Sequence, residues 1–307
     1  MNVNIGIDTS CYTTSIVAID DMKKILFEDR IVLPVKKGTF GLRQSDAFFH
    51  HVKNMPLLLD KCLNSVDRQS IRTVTVSDKP RQIEGSYMPV FTAGLNMAQL
   101  ISSSLNCKLY TLSHQENHLY AVAHEVPLPK SFIGVHISGG TSEILKVTYD
   151  RGMTIDIIGH TLDLSFGKLI DRVGVYMGLD FPAGRVLDAN RNSSEGIYQL
   201  KLSVKSTDFN ISGFENKLKA YYDQEQNLVK VANTLFYYIG ETLVKVLKTA
   251  QEEEGVSTIV VSGGVSANSY LRECLEGVFG DQIIFAKPTY ATDHALGNAY
   301  YGSLQND

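Results

Sequence analysis

The chain is poor in cysteine, and its four cysteines make no pattern. Cys11, Cys62, Cys107 and Cys274 lie far apart and no Cys-x-x-Cys pair occurs. That excludes a zinc ribbon and a disulfide framework, and it points to reduced thiols. No apolar run reaches the ~18–20 residues that a bilayer span requires. The opening stretch MNVNIGIDTS has no basic segment followed by an apolar one, so no signal peptide is expected. A cytoplasmic protein with no membrane contact is the expectation. Charge of one sign is scarce as well: the formal net charge is −4, which supplies no global pull toward nucleic acid. Any RNA binding needs a local basic patch or a partner protein. No low-complexity linker divides the chain.

What remains is an ordinary globular composition, 44% hydrophobic and 20% charged, over 307 residues. That length predicts one large α/β unit or two lobes of ~150 residues each. VNIGIDTS followed by TTSIVAID reads as a hairpin whose tip carries Thr9, Ser10 and Thr13. Helical spacing follows over Ser45–Leu63, with Ser45 as N-cap and Pro56 as a kink. IRTVTVS is a strand, PVFTAGLNMAQLISSSLN a helix, and KLYTLS a strand that leads into a histidine-rich segment. The opening pattern then returns as FIGVHISGGTSEILKVTYD, and a third version, TIVVSGGVSANSYLREC, runs from strand through a Gly-Gly turn into a helix. The two halves read as an architectural duplication without residue-level repetition. STDFNISGF (206–214) reads as a surface loop.

Three polar turns each follow an apolar strand: Asp8-Thr9-Ser10, Ser138-Gly139-Gly140-Thr141 and Ser262-Gly263-Gly264. Glycine admits positive φ and lets backbone N–H groups approach an anion, and the small hydroxyls add donors. One such turn is common. Three in a two-lobed α/β chain suggest a nucleotide in a cleft between lobes, with the helix start at SGGVSAN suited to a phosphate or an adenosine edge. SHQENHLYAVAH adds His114 and His118, four residues apart and so on one helical face. The pair alone is compatible with a metal site or with a histidine-bearing helix that binds nothing. Glu116 points elsewhere, unlike the glutamate of His-Glu-x-x-His peptidases, which argues against a protease.

GIDTSC, HQENH, SGGTSEI, TLDLSFGKLIDRVGVYMGLDFPAG, SGGVSANSYLR and ATDHALGNA occur in the order seen in the TsaD family. These are the tRNA adenosine threonylcarbamoyltransferases, once regarded as O-sialoglycoprotein endopeptidases. The chain resembles that family over nearly its whole length. The resemblance implies two ribonuclease-H-like lobes of the actin, sugar-kinase and Hsp70 ATPase (ASKHA) fold. The first lobe is expected over 1–130 with a C-terminal helix over 294–307, and the second, nucleotide-binding lobe over 131–293. It implies one divalent ion, iron or zinc, held by His114, His118 and Asp293. His136, where some relatives carry a tyrosine that touches the metal, is either a fourth ligand or a core histidine. An ATP- or AMP-type nucleotide is implied at Ser138, Gly139, Gly140, Thr141, Gly263 and Gly264. Asp171 matches an aspartate on the ribose hydroxyls, Gly184 a glycine under the nucleoside, and Asn268 an asparagine near the adenine or phosphates. Asp188, one helical turn after Gly184, also faces the ribose in this reading. tRNA and a homologous TsaB-like protein, or a second copy of the chain, are the implied partners.

Several positions depart from the family pattern. Asp8 replaces the usual glutamate, and Tyr12 and Thr13 stand where two acidic residues normally follow the cysteine. With Ser10, Asp8 and Thr13 are the candidate catalytic positions. Thr141 replaces a histidine, Lys168 an acidic residue, and an acidic pair is reduced to Asp163 with Leu164. Ser77–Phe91 replaces a short glycine-rich turn and brings Arg81, Glu84 and Tyr87. The chain thus resembles a divergent paralogue. A carbamoyl-type transferase is the first reading, and a nucleotide-binding scaffold or regulator without transferase activity is the alternative. A small-molecule kinase leaves the histidines without a role.

Overall fold

The structure, a computed structural model, describes residues 2–36, 39, 41–192 and 194–305. They fall into two compact units. The first contains the chain up to Val35, Gly41–Leu128 and the segment from Asp293 onward; the second contains Lys36, Thr39 and Pro129–Thr292.

The first unit is built on strands β1 (Val3–Ser10), β2 (Thr13–Asp20), β3 (Ile25–Val32), β4 (Ile71–Lys79) and β5 (Lys108–Ser113), with helices α1 (Gln44–Ser65), α2 (Pro89–Leu105) and α3 (His114–Glu125). They make a five-stranded sheet in the order β3-β2-β1-β4-β5. β1 pairs antiparallel with β2, Ser10 opposite Thr13, and parallel with β4. All eight residues of β1 and of β2 are buried, as a strand covered on both faces requires. On α1 the buried residues Ala47, His51, Met55, Leu58 and Cys62 recur every three or four positions, which turns one face to the sheet. α1 begins one residue before the expected Ser45 cap. Arg43 takes the N-cap position without a side-chain bond, and Pro56 lies within the helix. α2 ends at Asn106, whose φ of 53° makes the left-handed cap.

The second unit repeats the plan with β6 (Ser131–Ile137), β7 (Ser142–Tyr149), β8 (Met153–His160), α4 (Phe166–Tyr176), α5 (Gly184–Ala189), β9 (Ser203–Lys205), β10 (Asp208–Asn210), α6 (Ser212–Glu225), α7 (Leu228–Glu254), β11 (Ile259–Ser262), α8 (Ser269–Phe279), β12 (Ile283–Phe285) and α9 (Pro288–Ala291). Its five-stranded sheet runs β12-β11-β6-β7-β8, the first order read from the opposite edge. Three antiparallel strands followed by two parallel ones thus occur twice, which is the expected duplication. The core of this unit packs α4, α6, α7 and α8 against the sheet through Phe166, Leu169, Leu218, Phe236, Leu243 and Leu271. The stretch 206–214 is a correction. It holds β10, which pairs with β9, and the start of α6, and Phe209 and Ile211 are each only 1% exposed. Two strands of three residues leave too short a pattern to separate from a loop.

The chain then returns to the first unit as α10 (Leu296–Leu304), packed on β1 and α3. At Gly6 a Cβ would strike the Ala295 carbonyl and the Ala299 N–H, so the absent side chain on β1 is what lets α10 approach. No helix among the described residues is long and apolar enough to cross a membrane.

Candidate metal centre

β5 delivers the chain to Ser113, and a capping box fixes where α3 starts. The Ser113 hydroxyl accepts the Glu116 N–H, and the Glu116 carboxylate accepts the Ser113 N–H at 2.8 Å. Glu116 also accepts from Gln82 Nε2 at 3.0 Å, so its carboxylate turns back onto the protein. His114 becomes the first helical residue and His118 stands one turn later. Their rings lie 4.6 Å apart at the centroids, and their Nε2 atoms face each other at 3.2 Å.

Asp293 completes the cluster from the other end of the chain. Its Oδ1 is 3.5 Å from His114 Nε2 and 3.8 Å from His118 Nε2. The segment that carries it is pinned by Asn117, which donates to the His294 carbonyl at 2.5 Å, and by Asn298, whose N–H donates to Asn117 Oδ1 at 2.9 Å. Asn298 Nδ2 reaches the Ile7 carbonyl and Ser77 Oγ, which ties α10 to β1 and β4. The three side chains offer ligand atoms within 4.8 Å of one another. A tetrahedral ion with bonds of ~2.0–2.1 Å holds its ligand atoms ~3.3 Å apart, so the triangle suits zinc or iron with a position left open.

The three side chains are coupled electrostatically. Burial opposes a charge on His114, but the carboxylates of Asp8 and Asp293 outweigh it and hold this imidazole well above its usual range. Burial and the His114 charge lower His118 despite the pull of Asp293. Burial alone would raise Asp293, but hydrogen bonds to the two imidazoles prevail and hold it well below the usual carboxylate range.

Asp8, at the end of β1, is fully buried. Its Oδ1 lies 3.0 Å from His114 Nδ1, and its Oδ2 accepts the Ser10 N–H at 3.2 Å. Thr9 holds the same strand end to α2, donating to the Val90 carbonyl at 3.0 Å and accepting from the Gly94 N–H at 3.2 Å. Ser10 and Thr13 flank the hairpin tip, both buried. Behind them stands His51, a residue that nothing in the sequence singles out. It is fully buried, its Nδ1 is 2.9 Å from Thr14 Oγ1, and burial drives its pKa down to about 4. A lone histidine on a helix carries no signal except its place on the buried stripe of α1. Burial likewise pushes the Cys11 thiol up.

Of the other histidines, His294 packs its ring against His118, with centroids 5.2 Å apart. His136 lies on β6 in the second unit, its Nδ1 3.4 Å from Ser262 Oγ. His124 Nε2 donates to the Lys23 carbonyl at 2.8 Å, and His294 Nδ1 accepts the Leu296 N–H at 3.1 Å.

In the second unit the two Gly-Gly turns are neighbours. A Cβ at Gly263, where φ is 92°, would strike the Ile137 carbonyl, so the ends of β6 and β11 meet only with a glycine there. The 138–141 turn closes on itself, Thr141 N–H donating to Ser138 Oγ at 3.1 Å. It rests on the start of α4, where Ser165 Oγ donates to the Gly139 carbonyl at 2.8 Å. Gly139 and Gly140 have open space where a side chain would stand, and a Cβ at Gly184 would meet only Ile170 at 3.5 Å. The protein's own packing demands a glycine at none of the three.

The polar candidates of this unit divide. Asp171 accepts the Ala183 N–H at 2.9 Å, and burial lifts its pKa to about 6. Asp188 accepts both the N–H and the hydroxyl of Ser269 at 2.8 Å, and Asn268 caps α8 by accepting the Leu271 N–H. Asp188 and Asn268 therefore meet at the first turn of α8. Lys168 is exposed. Asp163 accepts backbone N–H groups of Leu164, Ile211 and Ser212, which anchors the start of α6.

Comparison with known proteins follows the same lines. The model of the family tRNA N6-adenosine threonylcarbamoyltransferase (TsaD) matches residues 36–300. The tRNA N6-adenosine threonylcarbamoyltransferase of Mycoplasma mobile is 31% identical over 299 residues, covering 94% of either chain. Among solved structures, component A of the (R)-2-hydroxyglutaryl-CoA dehydratase of Acidaminococcus fermentans superposes with a TM-score of 0.58 at 15% identity over 99% of both chains. A ROK family protein of Streptococcus pneumoniae, solved with sucrose, gives 0.56 at 13% identity over 99% of this chain and 97% of its own. These structural likenesses speak for the fold alone, that of the actin, sugar-kinase and Hsp70 ATPase class. By its matched length and by its relatives, the chain belongs to the TsaD family of tRNA N6-adenosine threonylcarbamoyltransferases.

Proposed function

We propose that the chain transfers a threonylcarbamoyl group from an adenylate to the N6 amine of a tRNA adenosine, with a divalent ion held by His114, His118 and Asp293. The observation that carries this reading is the convergence of the two Nε2 atoms and the Asp293 carboxylate from segments 175 residues apart in sequence, at separations that suit one ion. When bound, such an ion supplies Lewis acidity that polarises a substrate carbonyl or fixes a substrate carboxylate.

The remaining work falls to the protein. The backbone N–H groups of Gly139 and Gly140, with those of Gly263–Gly264, are offered to the adenylate phosphate, and Asp171 offers a carboxylate to the ribose diol. The open space over Gly139 and Gly140 supports a ligand lying close to the main chain. The adenosine nitrogen attacks the carbonyl carbon of the mixed anhydride and an N–C bond forms. The C–O bond to phosphate breaks, AMP leaves, and the amine proton passes to solvent. Positioning and fixed dipoles supply most of the acceleration.

Tyr12 and Thr13 favour a second reading, a nucleotide-binding scaffold, because a phenol and a hydroxyl cannot supply the negative charge of two carboxylates. The test is incubation of the zinc- or iron-loaded protein with labelled threonylcarbamoyl-adenylate and tRNA. Label in tRNA adenosine is the expected result. Intact adenylate, together with a melting shift on adding ATP or AMP, would replace the transferase reading with the scaffold.

A further inference from the structure

We propose that Asp8 is the positioning residue of the metal centre: it grips His114 Nδ1 so that Nε2 is delivered to the ion, and it takes no part in contact with substrate. The inference rests on the metal-binding part of the function proposed above.

Three observations carry it. First, the Asp8 side chain is fully buried, and each carboxylate oxygen has a partner inside the protein. A carboxylate so enclosed cannot act on a substrate, although its place at the tip of the first motif invites that role. Second, the grip has a direction. Ser10 N–H holds Oδ2, which aims Oδ1 at the imidazole 3.0 Å away. A nitrogen facing a carboxylate carries the proton, so Nδ1–H stays with Asp8 and Nε2 is the nitrogen left to bind an ion. That atom is the one 3.2 Å from His118 Nε2 and 3.5 Å from Asp293. Third, the contact joins elements 106 residues apart, the end of β1 and the first turn of α3. It sets the ring against the helix that also carries His118. Carboxylate–histidine–metal relays of this kind fix the tautomer and raise the basicity of the ligand, and their loss weakens metal binding by ~10–100-fold.

The experiment uses the full chain and zinc. Zinc affinity is measured by competition with a chromophoric chelator for the wild type, Asp8→Asn and Asp8→Ala. Asp20→Asn, at a buried carboxylate that binds the Lys24 N–H, serves as the control for a merely structural loss. Affinity should fall ~10–100-fold in Asp8→Asn and further in Asp8→Ala, with Asp20→Asn within twofold of wild type. A second measurement needs no variant. Nitrogen-15 spectra of zinc-loaded wild type should show His114 protonated at Nδ1 and metallated at Nε2. Affinities of the Asp8 variants within twofold of wild type, a His114 metallated at Nδ1, or a wild type that binds no zinc would each overturn the inference. Weakened zinc binding in Asp8→Asn, with no transfer to tRNA by the wild type, would uphold Asp8 and sink the transferase reading. Unchanged affinity with an active wild type would do the reverse.

Discussion

Replacing Gly297 by alanine sets two effects of known sign against each other. Gly297 is the second residue of α10, and alanine there gains at most ~1 kcal/mol of helix propensity. Against that stands a clash. The added Cβ falls far inside contact distance of the Asn117 carbonyl oxygen and 2.9 Å from the Ala121 nitrogen, both backbone atoms of α3. No rotamer change relieves a clash with helix backbone, so α10 must move away from α3. Overpacking of this kind costs ~1–3 kcal/mol. The movement also strains the bonds from Asn298 to Asn117, Ile7 and Ser77, and that from Asn117 to His294. Each buried polar group left without its partner costs a further ~1–3 kcal/mol. Sterics therefore prevail, and a net loss of roughly 2–4 kcal/mol is expected in the unfolding transition of the first unit. The same movement draws Asp293, four residues before Gly297, away from His114 and His118, so zinc affinity should fall at least tenfold along with stability. Urea unfolding and zinc competition on the same preparations measure both. Gly196→Ala, at an exposed glycine with nothing within 4 Å, is the control and should stay within ~0.5 kcal/mol. A Gly297→Ala protein as stable as wild type, or more so, would refute the claim that α10 is seated by glycine contact.

Two predictions concern pH. His51 stays neutral in the fold, its pKa lowered to about 4 against an ordinary 6.5, so the unfolded chain takes up a proton that the native state refuses. Its contribution is fully present above pH 6.5 and is lost as pH falls toward 4, by at most about 3 kcal/mol, and His51→Gln should flatten that slope in urea titrations between pH 4.5 and 7.5; a wild-type slope of the opposite sign that depends on His51 would contradict its burial as a neutral ring. Asp171 runs the other way: with its pKa raised to about 6, its stabilising protonated form is lost as pH rises from 3.8 through 6. Asp171→Asn keeps an acceptor for the Ala183 N–H and removes the buried charge, so at pH 7.5 the second unit should gain about 1–2 kcal/mol while AMP or ATP binding weakens about tenfold; a variant with undiminished nucleotide affinity would remove Asp171 from the ribose site.

How much of this the sequence could show depends on the distance over which each signal acts. The duplicated hairpins were legible because each strand-turn-strand unit is local, and its apolar runs and polar turns lie within about twenty residues of chain. The His114–His118 pair was legible for the same reason: helical periodicity puts both on one face whatever the rest of the fold does. Asp293 was not readable from spacing at all, since its partners stand 175 and 179 positions earlier, and only the order of motifs pointed to it. Asp8 shows that one location admits two roles. Its place at a strand end beside Thr9 and Ser10 suits a catalytic carboxylate equally well. What enclosed it is the packing of α3 and α10 around β1, in which the missing side chain of Gly6 admits α10 and the capping box at Ser113 fixes the phase of His114. Asp188 and Asn268 make the same point in the second unit. Their residue types suit a ribose or a phosphate, and the fold also has both accept N–H groups at the first turn of α8, Asp188 from α5 and Asn268 as the cap. A short polar side chain serves a helix end and a ligand through the same oxygen, and only the tertiary neighbours decide between them.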